Sequence, residues 1–143
     1  NTLPDGLYTN FQNFRELIVS NVPVVNIKST PNGDKAYKVY TSKNDKEKEV
    51  DKSDYYAMVY KGIPYVYSDT DHAFLKMTKK NTDGDYYFTA KAKATAKTGN
   101  VIAASAFFGI IGGLIAADAK SEFEMKLDYL NGGFMPIKEI DQK

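Results

Sequence analysis

A chain of 143 residues is long enough to bury a core of its own, and a single domain spanning residues 1–143 is the expectation. Nineteen Lys and Arg stand against 18 Asp and Glu, and the net charge of +1 argues against nucleic acid as a partner, because phosphate binding needs a concentrated basic footprint. The lack of cysteine excludes disulfides, thiolate metal sites and a cysteine nucleophile.

Eleven Tyr and eight Phe, many of them in alternating runs, lean towards β structure. The chain opens on Asn1 without Met, which points to a mature exported protein or a trimmed chain. Thr9 and Gln12 fit a capping box, with Thr9 as N-cap. Phe11, Phe14 and Ile18 then share a face, so a short helix is expected from Asn10 to Val19, stopped before Pro23. Val24–Lys28 and Ala36–Thr41 read as strands around the turn Pro31–Asp34. Lys43–Asp54 is almost wholly charged and reads as a solvated loop or a frayed hairpin tip.

Tyr55–Tyr60 and Ile63–Tyr67 form an expected hairpin across Lys61 and Gly62. Pro64 places its second strand near an edge, or starts that strand. Ala73–Lys79 is a further strand, followed by a turn at Asn81–Gly84. In Asp85–Lys97 one face carries Tyr86, Phe88, Ala90 and Ala92, while the other carries Tyr87, Thr89, Lys91 and Lys93. In Ser121–Leu130, Phe123, Met125 and Leu127 oppose Glu122, Glu124 and Lys126. Both strands are therefore half-buried, and the sign of their outer faces favours side-by-side pairing. Asn131–Gly133 turns the chain into a last strand, Phe134–Lys138. No repeat of 20–50 residues is visible.

Between the two long strands lies Val101–Ala117, inside an uncharged run that extends from Thr98 to Ala117. Its Ala-rich content and the four-residue spacing of Ser105, Gly109, Gly113 and Ala117 predict a helix with a small-residue ridge. Such a helix is apolar all round and has to be buried. It lies on the sheet, where Ala90–Ala96 offers a shallow bed, or forms a homo-oligomer contact, or enters a membrane. Its ~26 Å falls short of the ~30 Å hydrocarbon core, so membrane insertion is marginal. A helix that doubles back near Gly109–Gly113, one that crosses the sheet, and an extension of the two strands as β structure are three routes for the connection.

The chemistry is sparse. His72 is the one histidine and has Asp69 and Asp71 beside it, a set that suits a metal or a general base but also an ordinary polar turn. No serine sits in a nucleophile elbow. Asn81–Asp85 lacks the further ligands of a calcium loop. No cofactor motif or metal motif is present. Tyr55, Tyr56, Tyr60, Tyr65 and Tyr67 concentrate in one hairpin, where they serve either as contacts for a protein or glycan partner or as ordinary cross-strand aromatics.

Three patches carry a resemblance. Asp5-Gly6-Leu7-Tyr8-Thr9 followed by Phe11 and Phe14 resembles the opening of a family of exported Bacteroidetes-type proteins built on a domain of unknown function. Tyr60-Lys61-Gly62-Ile63-Pro64-Tyr65-Val66-Tyr67 resembles that family's central hairpin, and Leu127–Ile137 resembles its ending. Tyr60 and Lys61 replace the usual acidic residue before the hairpin glycine, and Asn131-Gly132-Gly133 replaces a Thr-Gly-Lys turn. The resemblance implies export to the periplasm or cell surface and carries over no catalytic residue.

The sequence therefore predicts an α+β fold: a mainly antiparallel sheet, a short N-terminal helix and a central apolar helix packed on the sheet. The expected function is that of an exported, non-enzymatic binding or interaction protein. The alternatives are a membrane-associating protein that inserts residues 101–117 and a hydrolase acting on glycans or peptides.

Overall fold

The structure is a computed structural model that describes residues 3–69, 71–80, 84–94, 97–98, 101–102, 107–108, 121–127 and 134–140. The chain divides into two compact units, Asn1–Tyr67 with His72–Met77, and Ser68–Asp71 with Thr78–Lys143.

The first unit is built on a seven-stranded antiparallel sheet. Its strands are β1 (Gly6–Tyr8), β2 (Asn26–Ser29), β3 (Lys35–Lys43), β4 (Lys46–Glu49), β5 (Ala57–Tyr60), β6 (Ile63–Ser68) and β7 (Ala73–Lys76). Across the sheet they run β1-β5-β6-β7-β3-β2, with β4 pairing with β3 beyond β7. Leu7, Met58, Phe74, Val39 and Tyr65 form the centre of the core. Lys61 and Gly62 both take positive φ and close the β5–β6 hairpin, as the sequence predicts. β6 is an internal strand rather than an edge, and Pro64 is tolerated there at its second position, with its carbonyl accepting the Met77 N–H at 2.9 Å.

The residues of the opening motif have structural roles. The Asp5 carboxylate accepts the N–H groups of Lys61 (3.2 Å) and Gly62 (3.0 Å), which fixes the hairpin turn. Leu7 and Tyr8 are fully buried. Gly6 has φ +136, and a Cβ there would stand 2.5 Å from Cγ2 of Val19. The N-terminal helix α1 is shorter than expected, Phe11–Arg15, and its N-cap is Asn10 rather than Thr9, the Asn10 side chain accepting the Asn13 N–H at 2.8 Å. Phe14 reaches the core, but Leu17 turns left-handed (φ 59) and leaves Ile18 exposed. The Ser20 N–H then donates to the Leu7 carbonyl, so the chain returns along β1 instead of continuing as helix.

β3 departs from simple alternation. Lys28 pairs with Lys38, but Ser29 pairs with Ala36, so Tyr37 is an extra residue and forms a bulge. Ala36 and Val39 can then both face the core while Tyr37 points outwards, its carbonyl accepting the Lys52 ammonium at 2.6 Å.

In the second unit, β8 (Thr78–Lys79), β9 (Tyr86–Ala94), β12 (Phe107–Phe108), β13 (Ser121–Leu127) and β14 (Phe134–Glu139) form one antiparallel sheet in the order β12-β9-β13-β14, with β8 also on β9. β10 (Lys97–Thr98) and β11 (Val101–Ile102) pair separately as a small hairpin. The expected pairing of the two long strands forms. Glu122 lies opposite Lys91, and Phe123 opposite Ala90. Phe88, Ala90, Phe123, Met125 and Leu127 are buried, and Phe88 meets Phe134 edge-on at 5.1 Å. The strand predicted over Ala73–Lys79 breaks at the buried Met77, and its halves β7 and β8 join different sheets.

The α+β expectation with a central apolar helix is overturned. The described residues are mostly antiparallel strand, with one five-residue helix and one 3-10 turn. Val101–Ile102 pairs with β10, and Phe107–Phe108 pairs with the end of β9. β-branched and aromatic residues favour a pleated surface, and the end of β9 gives Phe107 and Phe108 a ladder to join. Both pairings are antiparallel, so Phe107–Phe108 lies back alongside β9 instead of prolonging it, and the expected extension of the long strands does not describe these residues. Ser105, Gly109, Gly113 and Ala117 lie outside the described residues.

Candidate functional site

The tyrosine-rich hairpin faces inwards. Tyr65 is buried, and Tyr55, Tyr60 and Tyr67 pack half-buried against the core of the first unit. Tyr67 meets Phe74 edge-on at 5.6 Å, while Tyr56 meets Phe11 at 5.8 Å and Phe14 at 6.2 Å. Burial pushes the Tyr56 phenol well above its ordinary value. Burial also raises Tyr65, with help from neighbouring Tyr60 and Asp34. The aromatic faces that would stack on a sugar are largely engaged with the protein itself.

His72 is exposed in a turn with left-handed backbone (φ 52). The Asp71 carboxylate accepts the Ser68 hydroxyl at 2.8 Å and the Lys91 N–H at 3.0 Å, so it serves as a ladder partner for β9. Asp85, from the calcium-like turn, forms an ion pair with Lys126 at 3.0 Å; Asn81 and Asp83 lie outside the described residues. Among the described residues, no group of three or more His, Cys, Asp and Glu could hold a metal ion. Among them, too, no helix is long and apolar enough to cross a membrane, a statement that does not bear on crossings built from strands.

The element that stands out is the hairpin of β3 and β4. Asn44 (φ 54) and Asp45 (φ 62) make a two-residue turn of the mirror-image type, which matches the twist of paired strands. Lys43 pairs with Lys46, Thr41 with Lys48, Ser42 with Glu47, and Tyr40 with Glu49. Every residue from Ser42 to Glu49 is exposed. The hairpin thus rises past the core as an arm, anchored where Val39 and Val50 are buried and where the Val50 N–H donates to the Val39 carbonyl at 2.8 Å.

Alternation sorts the charges of the arm by face. Lys43, Lys46 and Lys48 lie on the face that carries Val39 lower down. Glu47 and Glu49 lie on the opposite face, where the Asn26 amide donates to Glu47 at 3.3 Å. Lys43 stands directly opposite Lys46, an arrangement of like charges that disfavours the hairpin on its own. The sequence leaves this stretch as a solvated loop or a frayed hairpin tip, and the hairpin is what forms. The signal that favours it is Asn44-Asp45 set between two runs, one of them a strict Lys-Glu-Lys-Glu alternation. Comparison with protein-family models, with curated proteins and with solved structures finds no match.

Proposed function

We propose that the protein is a non-enzymatic interaction protein that presents the β3–β4 arm to a protein partner. The observation that carries this reading is the exposure of eight consecutive residues, Ser42–Glu49, within a hairpin of defined register. Ordering each residue costs about 1–2 kcal/mol. These eight return no apolar burial, and two of their lysines repel each other across the pair. An arm of this kind gains its missing contacts from a partner. Protein is favoured over glycan because the hairpin tyrosines turn towards the core. Export accompanies this reading on the strength of the family resemblance, and cell fractionation tests it. The test of the interaction is a photo-crosslinking side chain placed at Glu47 in the cells that make the protein. A discrete adduct is expected, and it should disappear when Lys46 and Lys48 are both changed to Glu. Adducts equally abundant from a probe at the exposed Lys61 and insensitive to the arm charges would reject the reading.

A further inference from the structure

We propose that the outer edge of β4 is a docking site for an extended protein segment of alternating acidic and basic residues, and that it is closed to antiparallel pairing with a second copy of this chain. The inference rests on the interaction reading above and specifies the partner. Among the described residues, β4 pairs with β3 alone. Lys43 and Lys46 flank a two-residue turn and form a hydrogen-bonded pair, so Lys46 and Lys48 direct their N–H and C=O groups to β3. Those of Glu47 and Glu49 point outwards, where an added strand pairs.

Residues directly opposite one another in an antiparallel pair project from the same face. A docked strand therefore places one alternate set of side chains beside Lys46 and Lys48 and the other beside Glu47 and Glu49. Full complementarity requires acids in the first set and bases in the second. An alternating segment supplies this, because a single strand can turn over to bring its acids to the lysine face. A second copy cannot do so in an antiparallel pair. Its β4 is held by its own β3, so the antiparallel two-fold arrangement that joins the free edges keeps lysine face beside lysine face. Lysine then meets lysine, and glutamate meets glutamate, in every register. Like charges placed directly opposite are destabilising, and this is one means by which exposed edges avoid joining each other.

The test uses the full chain, isotopically labelled, with two synthetic eight-residue peptides of identical composition. One alternates Lys and Glu; the other has four Lys followed by four Glu. At low salt the alternating peptide should shift the Glu47 and Glu49 amide resonances and bind about tenfold more tightly than the block peptide, the gain expected from four cross-strand ion pairs. The preference should vanish near ~0.5 M salt, where screening is strong. It should also vanish in the Lys46→Glu/Lys48→Glu variant, whose substitutions fall on exposed positions. Equal binding of the two peptides, no binding, or shifts confined to other residues would overturn the docking site. A concentration-dependent dimer abolished by the double variant would overturn the closure to a second copy. If the crosslinked adduct at Glu47 forms while the peptides fail, the arm remains an interaction site and only its partner rule falls; if the adduct also fails, both fall.

Discussion

Gly6→Ala should be among the most damaging small substitutions in the first unit, and its cost can be divided. The backbone at Gly6 has φ +136, a conformation that L residues rarely adopt, which contributes about 1–3 kcal/mol. The new Cβ would also lie 2.5 Å from Cγ2 of Val19, so Val19 has to move, at a further ~1–3 kcal/mol. The remaining neighbours, the Val22 carbonyl oxygen at 3.7 Å and Val19 Cβ at 4.0 Å, are ordinary contacts. Removing Cγ2 with Val19→Ala should therefore relieve the steric part and leave the backbone part. Urea denaturation, followed through the resonances of Leu7 and Met58, measures both. The single variant should lose about 2–6 kcal/mol, and a double-mutant cycle should return a favourable coupling of about 1–3 kcal/mol. A loss below about 1 kcal/mol, or a coupling of zero, would refute the close approach of Val19 to the strand β1.

Asp5→Ala removes the acceptor of two hairpin amides, so it should destabilise the first unit by ~1 kcal/mol and speed hydrogen exchange at Lys61 and Gly62, with Asp5→Asn in between. Phe123→Ala deletes a ring that is 1% exposed and should destabilise the second unit by about 3–5 kcal/mol in chemical denaturation, whereas the half-buried Glu124→Ala should cost far less. Alkaline pH should weaken the first unit. Tyr56 and Tyr65 both have folded pKa values raised above the ordinary 10.0, so above that pH the folded state holds more protons than the unfolded one. The stability is present below pH 10.0 and is lost as pH rises towards the folded values, and Tyr56→Phe or Tyr65→Phe should flatten that decline in a pH series of urea titrations.

The sheet was legible where alternation and turn chemistry agreed. β9 and β13 announce themselves by strict period-two patterns, and Lys61-Gly62 marks the β5–β6 turn. Local signals failed where tertiary contacts overruled them. Phe11, Phe14 and Ile18 share a helical face, yet the Ser20 N–H is taken by Leu7, and the helix ends at Arg15. Nothing in Ala73–Lys79 marks Met77 as the point where one run serves two sheets. The bulge at Tyr37 is invisible in a pattern that assumes one residue per step. The candidate site stays undecided between loop and hairpin tip in the sequence, because charge reads as solvation either way. A strand exposed on both faces has no apolar period to detect, and only its turn and its alternating charges reveal it.

The stretch Val101–Ala117 shows why composition misled most. β12 and β13 both run antiparallel to β9 and flank it on opposite sides, so they are parallel to each other with β9 between them. Phe108 is level with Lys93 and Ser121 with Ala92. These two ends are therefore about two strand spacings apart, roughly 10 Å. A straight helix of the predicted length would carry the chain ~26 Å, which is the wrong span even before Phe107 and Phe108 are committed to pairing. The spacing on which the helix was predicted thus loses its force once the two strand ends are placed. The constraint on Val101–Ala117 is set by the strands it joins rather than by its own composition.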